Sequence, residues 1–334
     1  GMSARVLVSG ANGFVGSAVV RALLGHGYVV RALTRPTSDT ASLDGLDVET
    51  VRGDLLDPAS LERALEGCEG LVHVAADYRR GAPDPRAIRR ANVRGTHNIL
   101  VAAERCGVRR IVHTSSVATL GLNADATPAD ETTPARLADM IGAYKRSKYL
   151  SEGLVRRCAR AALDIVIVNP AAPVGPRDRK PTPTGRMILD AARGRMPAFV
   201  DTGLCVVHVD DVAEGHVLAF DRGRRGRRYV LGGENMSLEA ILAIVAELSG
   251  RHAPWLKLPH AAVLPIAHLA EVWARTTGGT PNITVDGVKL ARHRMYFASA
   301  RAETELGYHA RPAREALADA VKWFRENGYL GRDG

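Results

Sequence analysis

Cysteine is scarce in this sequence: Cys68, Cys106, Cys158 and Cys205 are widely scattered through 334 residues, and no two form a CxxC pair. With no His-x-x-x-His helix either, the pattern excludes a disulfide framework and a structural zinc site. A reduced, cytoplasmic protein without a metal is the expectation. Long apolar runs are missing as well, and nothing approaches the roughly eighteen consecutive apolar residues of a membrane span. The opening Gly1-Met2-Ser3 carries neither the n-region nor the h-region of a signal peptide, so secretion is not expected. Aromatic residues make up only 5% of the chain, which bears on its net charge of +9. Lysine and arginine are spread along the chain, and the one dense run, from Arg222 to Arg228, has no aromatic interleaved. A stacking platform for single strands is therefore unsupported, no nucleic-acid partner is expected, and the run reads as a solvated turn between a helix at 212–221 and a strand at 228–231. The positive charge stays available to an anionic substrate or membrane surface. No internal repeat is evident.

What is present is enough apolar material, 46% of the residues, for a sizeable core. Strand patterns fall at 5–9, 28–33, 48–51, 70–75, 109–114 and 164–169, and helical patterns at 14–25, 58–66, 85–106 and 141–161. Their alternation predicts an α/β fold, a doubly wound Rossmann parallel sheet covered by helices on both faces. Prolines at 170, 173, 176, 181 and 183 then mark an irregular stretch, Val206–Val209 reads as a return to the sheet, and the chain is helix-rich from about 234. Residues 1–170 and 204–233 are expected to form a dinucleotide-binding domain. Residues 171–203 and 234–330 are expected to form a smaller, mostly helical substrate-binding lobe.

The first strand pattern runs into Gly10-Ala11-Asn12-Gly13-Phe14-Val15-Gly16 and then a helix. Gly10 allows a tight turn, Gly13 lets a pyrophosphate approach the backbone, and Gly16 lets helix and strand pack closely, with the phosphates on the helix N-terminus. Gly10, Asn12, Gly13, Phe14, Val15 and Gly16 are thus candidate cofactor-binding residues. An NAD-binding chain carries a carboxylate at the end of its second strand for the ribose hydroxyls. This one ends Val30-Arg31-Ala32-Leu33-Thr34-Arg35, with Thr34 at the acidic position. Arg35, with Arg31 upstream, suits a 2′-phosphate, so NADP is expected over NAD.

The chemistry is expected in Tyr144-Lys145-Arg146-Ser147-Lys148, paired with His113-Thr114-Ser115-Ser116 at a strand end. Tyr144 and Lys148 stand four apart on one helix face. An adjacent ammonium favours the phenolate of a tyrosine whose free pKa is about 10. Tyr144 could then move a proton to or from a carbonyl or alcohol during hydride transfer, while a serine from the strand end holds the substrate oxygen. Alone, Tyr-x-x-x-Lys reads equally as a surface pair.

The chain resembles the extended short-chain dehydrogenase/reductases, also called NAD-dependent epimerase/dehydratases. The resemblance rests on Gly10-x-x-Gly13-x-x-Gly16, Gly53-Asp54-Leu55, His73-Val74-Ala75-Ala76, Asn92-Val93-Arg94-Gly95-Thr96, Thr114-Ser115-Ser116, Tyr144/Lys148, Asn169-Pro170 and His208-Val209-Asp210-Asp211. Longer segments, Ser115 to Gly121, Met140 to Lys148 and Lys180 to Arg186, are similar to the hopanoid-associated sugar epimerase family, itself similar to dihydroflavonol 4-reductases. The resemblance implies that Asp54 meets the adenine with Leu55 beside it. It also implies that Ala75 and Ala76 line the cofactor, that Pro170 sits near the nicotinamide, and that Lys148 binds the nicotinamide ribose. Counting back from Gly121 makes Ser116 the catalytic serine, with Ser115 the fallback and a cofactor neighbour. His208 and Asp211 are expected to hold the following helix start, with aspartate as its N-cap. A homodimer through helices 85–106 and 141–161 is also implied.

One departure divides the readings. Sugar-nucleotide members carry an Arg-Asp pair before His-Val-x-Asp, where this chain has Gly203-Leu204-Cys205-Val206-Val207. A reductase acting on a small-molecule carbonyl, in hopanoid biosynthesis by the resemblance, therefore competes with a nucleotide-sugar epimerase in which Arg177, Arg179, Lys180 and Arg186 supply another anion clamp. A non-catalytic cofactor-binding regulator is the third reading, and the presence of both Tyr144 and Lys148 speaks against it. The apolar segment 261–270 is expected to be core packing, with a membrane-surface helix as the alternative.

Overall fold

The computed structural model describes residues 3–74, 84–279 and 283–331. The chain opens with β1 (Arg5–Ser9), α1 (Phe14–Gly25), β2 (Val29–Thr34), β3 (Glu49–Arg52), α2 (Pro58–Leu65), β4 (Gly70–Val74), α3 (Pro85–Arg105), β5 (Arg110–Thr114), α4 (Ala143–Ala161) and β6 (Ile165–Pro170). It continues through β7 (Ala172–Val174), α5 (Pro183–Ala192), β8 (Ala198–Val200), β9 (Gly203–His208), α6 (Val209–Arg222), β10 (Arg228–Leu231) and β11 (Glu234–Ser237). The last part holds α7 (Leu238–Ser249), β12 (Leu256–Leu258), α8 (His260–Thr277), α9 (Val285–Leu290), β13 (Arg294–Met295), α10 (Ala300–Leu306) and α11 (Ala313–Glu326).

Alternate residues of a strand point to opposite faces, and here both faces are apolar. Val6 and Val8 of β1, with Val72, Val112 and Val166, pack under Val19, Leu23 and Val217 of α1 and α6. Leu7, Leu71, Ile111 and Ile165 pack on the other side against Leu61, Ile99 and Val155 of α2, α3 and α4. Helices must therefore cover both faces, and the seven strands form one parallel sheet in the order β10-β6-β5-β4-β1-β2-β3. This is the doubly wound α/β fold expected. Strand order reverses between β1 and β4, which opens a crevice at the carboxyl ends of these strands, where such sheets bind ligands.

The Val206–Val209 expectation is corrected. β9 does not join the main sheet but lies in a second one, between β11 and β13 and also paired with β7 (Ala172↔Val206). An apolar run signals a buried strand without naming its partner, and β7, which leaves the main sheet straight after β6, captures β9. The seventh main-sheet strand is β10, in register with β6 at Leu231↔Pro170. The chain passes from β6 to β7 through Ala171 alone, from β9 straight into α6, and from β10 to β11 through Gly232-Gly233.

The second sheet and α5, α7 and α11 enclose a core that includes Ile188, Val206, Ile241, Leu317 and Phe324. A smaller cluster, Val263, Ala267, Val285 and Val288, joins α8 to α9. Among the described residues no helix is long and apolar enough to cross a membrane. The arginine-rich run is a turn, yet it is not simply solvated. Arg225 donates to the Ala159 carbonyl (2.9 Å), Arg227 forks onto Glu305 (2.8 and 2.9 Å), and Arg228 reaches Glu152. Arg222, Arg224 and Arg225 are exposed, as a solvated turn requires, while Arg227 and Arg228 also fix β10 against α10 and α4.

Candidate active site

The glycine loop has the geometry its spacing predicts. Gly10 sits at φ +62°, and a Cβ there would lie 2.3 Å from the Val74 carbonyl oxygen. A Cβ on Gly16 would lie 1.8 Å from the Gly10 oxygen, so α1 approaches β1 at backbone contact. Gly13 is the N-cap of α1 and no side chain caps that helix, so the amides of its first turn, Phe14, Val15 and Gly16, have no intrahelical acceptor. The Asn12 Oδ1 and Ser115 Oγ atoms are buried without a hydrogen-bond partner among the described residues. Buried polar atoms left unpaired cost about 1–3 kcal/mol each. A dinucleotide fits this cradle: a helix end open to phosphate, a backbone bare of Cβ atoms, and orphaned polar atoms to satisfy.

Around it the candidate residues separate. Arg35 is exposed immediately after β2. Arg31 is not available to a phosphate, because it is buried and donates to the Ala64 and Glu66 carbonyls (2.8 and 2.7 Å) while its Nε lies 3.2 Å from Glu49. Asp54 is exposed and holds a turn, accepting from the Leu56 amide (2.9 Å), and Leu55 is half-buried against Gly95. Ala75 and Ala76 lie outside the described residues.

Gly142, at φ +88°, stops the helix from starting at 141 and makes Ala143 the first residue of α4. Tyr144 is thereby in the first turn, where the helix dipole favours negative charge. Lys148 is only 5% exposed, and its Nζ lies 5.9 Å from the centroid of the Tyr144 ring. Beneath it, His73 on β4 and His113 on β5 lie side by side, ring centroids 5.4 Å apart. Burial, helped by the Lys148 charge, pushes His73 down to about 3. Burial, then His73 and Lys148, hold His113 well below its usual range. Both imidazoles stay neutral, so neither competes with the ammonium as a cation. His73 also hydrogen-bonds Ser9 (2.6 Å), the residue before Gly10, which links the phenol–lysine pair to the glycine loop.

Across the β5 end, the Ser115 amide donates to Val168 O (2.8 Å) while its hydroxyl is the orphan noted above. The Ser116 Oγ accepts from the Ala118 amide (3.0 Å), which leaves its own proton to donate. Pro170 is buried at the end of β6. The carboxyl ends of β1, β5 and β6 thus carry the glycine loop, the two serines and Pro170. Thr114 is fixed in turn by His216. That ring donates from Nδ1 to the Val212 carbonyl (2.7 Å), so its Nε2 accepts the threonine hydroxyl (2.8 Å), and burial holds it down to about 4.

The sequence names Asn169 and Asn92 as motif residues but gives no role to Glu152. Asn169 donates through Nδ2 to the Ser116 carbonyl (3.0 Å), Thr119 Oγ1 (3.2 Å) and Glu152 Oε1 (3.0 Å). Glu152, buried on α4, pairs with both sides of the Arg228 guanidinium (3.0 and 3.1 Å). The available signal was spacing, since Glu152 continues the 144/148 row one turn on. Asn92 donates to Ser147 Oγ (2.7 Å), which donates to the Tyr144 carbonyl (3.0 Å), tying α3 to the first turn of α4.

The N-cap expectation is corrected. His208, not an aspartate, caps α6: its Nδ1 accepts the Asp210 amide (3.0 Å), so Nε2 donates to Asp319 (2.8 Å). Asp211 lies inside the first turn and grips Arg311 (3.0 Å). Of the alternative anion clamp, Arg177 is already held by Asp210 (2.6 Å), and Arg186 is exposed on α5.

Comparison with known proteins adds a family. The profile of the NAD dependent epimerase/dehydratase family matches residues 6–232. The chain is 45% identical to the "Putative dihydroflavonol 4-reductase" of Synechocystis sp. over 97% of this chain and 95% of that protein. It is 41% identical to Sterol demethylase protein B of Methylococcus capsulatus over 97% and 99%. The crystal structure of gox2253 superposes with a TM-score of 0.89 at 50% identity, covering 98% of this chain and 99% of that one.

Proposed function

The chain belongs to the NAD dependent epimerase/dehydratase family of NAD(P)-dependent enzymes, and from that membership we propose that it is an NADPH-dependent reductase of an apolar carbonyl substrate. The observation that carries the reading is the Tyr144–Lys148 pair in the first turns of α4, with the Lys148 head buried over two neutral imidazoles. The apolar β9 supports a substrate without a diphosphate, because Gly203–Val207 offers no cation. Similarity to a dihydroflavonol reductase and a sterol demethylase protein agrees with a polycyclic or isoprenoid carbonyl, and a place in hopanoid biosynthesis belongs to the same reading.

In this mechanism the glycine loop, with Asn12, Phe14 and Val15, would hold the pyrophosphate, Arg35 the 2′-phosphate, and Asp54 and Leu55 the adenine. Ser115 and Pro170 would hold the nicotinamide, whose chemistry when bound would be the supply of hydride. Tyr144 donates its phenolic proton to the carbonyl oxygen, which Ser116 holds by a hydrogen bond. The phenolate left behind is stabilised by the Lys148 ammonium and the α4 N-terminus. Asn169 and Asn92 keep the serine strand end and the tyrosine turn in place.

Purified protein given NADPH and a panel of apolar ketones should lose nicotinamide absorbance with a matching yield of alcohol. Constant absorbance with inversion of a nucleotide-sugar stereocentre would replace this reading with an epimerase. Arg35→Ala tests the cofactor choice. Loss of one charged hydrogen bond corresponds to about 1.5–3 kcal/mol, so NADPH should weaken roughly tenfold to a hundredfold with NADH little changed. Equal loss for both cofactors, read by fluorescence titration, refutes the 2′-phosphate contact.

A further inference from the structure

The carboxyl end of β2 is where a dinucleotide is sorted by charge, because the residue there meets the 2′-hydroxyl of the adenosine ribose or its phosphate. Thr34 holds that place, buried, with its hydroxyl turned to the Val51 carbonyl (3.5 Å). The residue beside it has had no role so far. β2 and β3 run parallel with Thr34 opposite Arg52, the last residue of β3, at the edge of the sheet. The Gly53 amide closes the ladder on the Thr34 carbonyl (3.0 Å). Paired strands lie about 4.8 Å apart, so the two side chains start from adjacent points.

Alternation puts Arg52 on the same face as Thr34. Val30 and Ala32 of β2 pack in the core under α1, which assigns Thr34 to that face, while Leu33 packs with α2 and α3 on the other. Val51 of β3 packs on the Leu33 cluster, so Arg52 takes the face covered by α1, the helix that the glycine loop begins. Its guanidinium is uncommitted. Arg52 is exposed and forms no hydrogen bond or ion pair among the described residues. Glu49, the carboxylate of the same strand, lies on the opposite face and is held by Arg31 and Arg5 (3.2 and 3.7 Å). Asp54, two residues on, accepts the Leu56 amide (2.9 Å). On the other flank of Thr34, Arg35 is exposed and the chain turns back at once, the Ser38 amide donating to the Arg35 carbonyl (3.0 Å). Two arginines thus flank one small residue, Arg35 next to it in sequence and Arg52 next to it in space.

We propose that Arg52 is the second half of a two-arginine clamp, with Arg35, for the 2′-phosphate of NADP. A phosphomonoester carries close to two negative charges near neutral pH and offers three acceptor oxygens. One guanidinium leaves part of that charge unmet, and two forks from adjacent strand ends neutralise it. NAD would bring a neutral hydroxyl to two cations and find no carboxylate to accept from it. The inference rests on the NADP preference of the reductase reading and not on its carbonyl chemistry.

Calorimetric titration of the full chain with adenosine 2′,5′-bisphosphate and with 5′-AMP tests the clamp without turnover. The wild type should prefer the bisphosphate at least about tenfold, with the gap narrowing at high salt. Arg52→Met should weaken the bisphosphate about tenfold or more and leave 5′-AMP as it was, and Arg52→Lys should recover part of the loss. Arg35→Ala combined with Arg52→Met should bind both nucleotides alike. If Arg52→Met keeps the wild-type preference, the clamp is overturned and Arg52 is only a charge guarding the sheet edge. Loss of the preference in Arg35→Ala alone would then leave the NADP reading standing. Equal weakening of both nucleotides by Arg52→Met also overturns the clamp, because the damage is then to the adenosine site. A wild type without preference removes the NADP reading and the clamp together.

Discussion

Tyr144→Phe should abolish turnover while leaving the cofactor bound. The phenylalanine ring keeps the aromatic face that lies 5.9 Å from Lys148 Nζ, and the helix start set by Gly142 is untouched. Only the proton donor is lost. A positioned general acid contributes about 10²–10⁴-fold, so the rate of NADPH oxidation should fall by that factor with NADPH affinity unchanged. Lys148→Met differs in kind. It removes both the charge that favours phenolate and a proposed ribose contact, so affinity and rate should fall together. Turnover surviving in the Phe variant would assign the proton to another group.

Arg228→Met carries the largest expected effect on stability. It leaves the Glu152 carboxylate, whose side chain is 4% exposed, without its guanidinium, though still accepting from Asn169. Removing one member of a buried ion pair costs about 3–5 kcal/mol, because the other charge stays desolvated. Thermal unfolding should show a markedly lower Tm, and Glu152→Leu added to Arg228→Met should restore most of it. Activity offers a second readout. Asn169 bridges Glu152 to the Ser116 carbonyl, so the single variant should lower kcat even at temperatures where it is folded. A variant as stable and as fast as wild type would reduce the network to ornament.

The difference between these two predictions explains how far the sequence could be read. Tyr144 and Lys148 are four residues apart, and helix periodicity alone puts them on one face. Glu152 and Arg228 are 76 residues apart, and nothing local joins them. The same contrast runs through the fold. Strands β1, β2, β4, β5 and β6 were legible because largely apolar runs between helical patterns encode a sheet buried on both sides, whereas the edge strand β3 is mostly exposed. Gly10 and Gly16 were legible because only glycine satisfies those contacts. The partner of β9 was not, since an apolar strand is the same object in either sheet. Arg31 and Arg35 look equivalent in the sequence, yet Arg31 lies within β2, where carbonyls consume its donors, while Arg35 falls just past the strand end and is exposed. The arginine run is the exposed turn its composition indicates, but the carboxylates that Arg227 and Arg228 bind come from α10 and α4, which nothing local signals. His208 holds the start of α6 as its sequence position indicates, but the cap role falls to its Nδ1, which accepts the Asp210 amide, rather than to an aspartate.

The three passages between the sheets leave no slack. Ala171 is buried and its amide is tied to the Leu231 carbonyl (3.0 Å). Gly232 is tied to Ser299 (2.8 Å), and a Cβ on Gly233 would fall 2.1 Å from the Val206 oxygen. Hinges need a few residues able to absorb large backbone rotations, and spliced joints of this kind transmit torque instead. A tilt of the main sheet is therefore carried into the second one through these joints rather than absorbed at them.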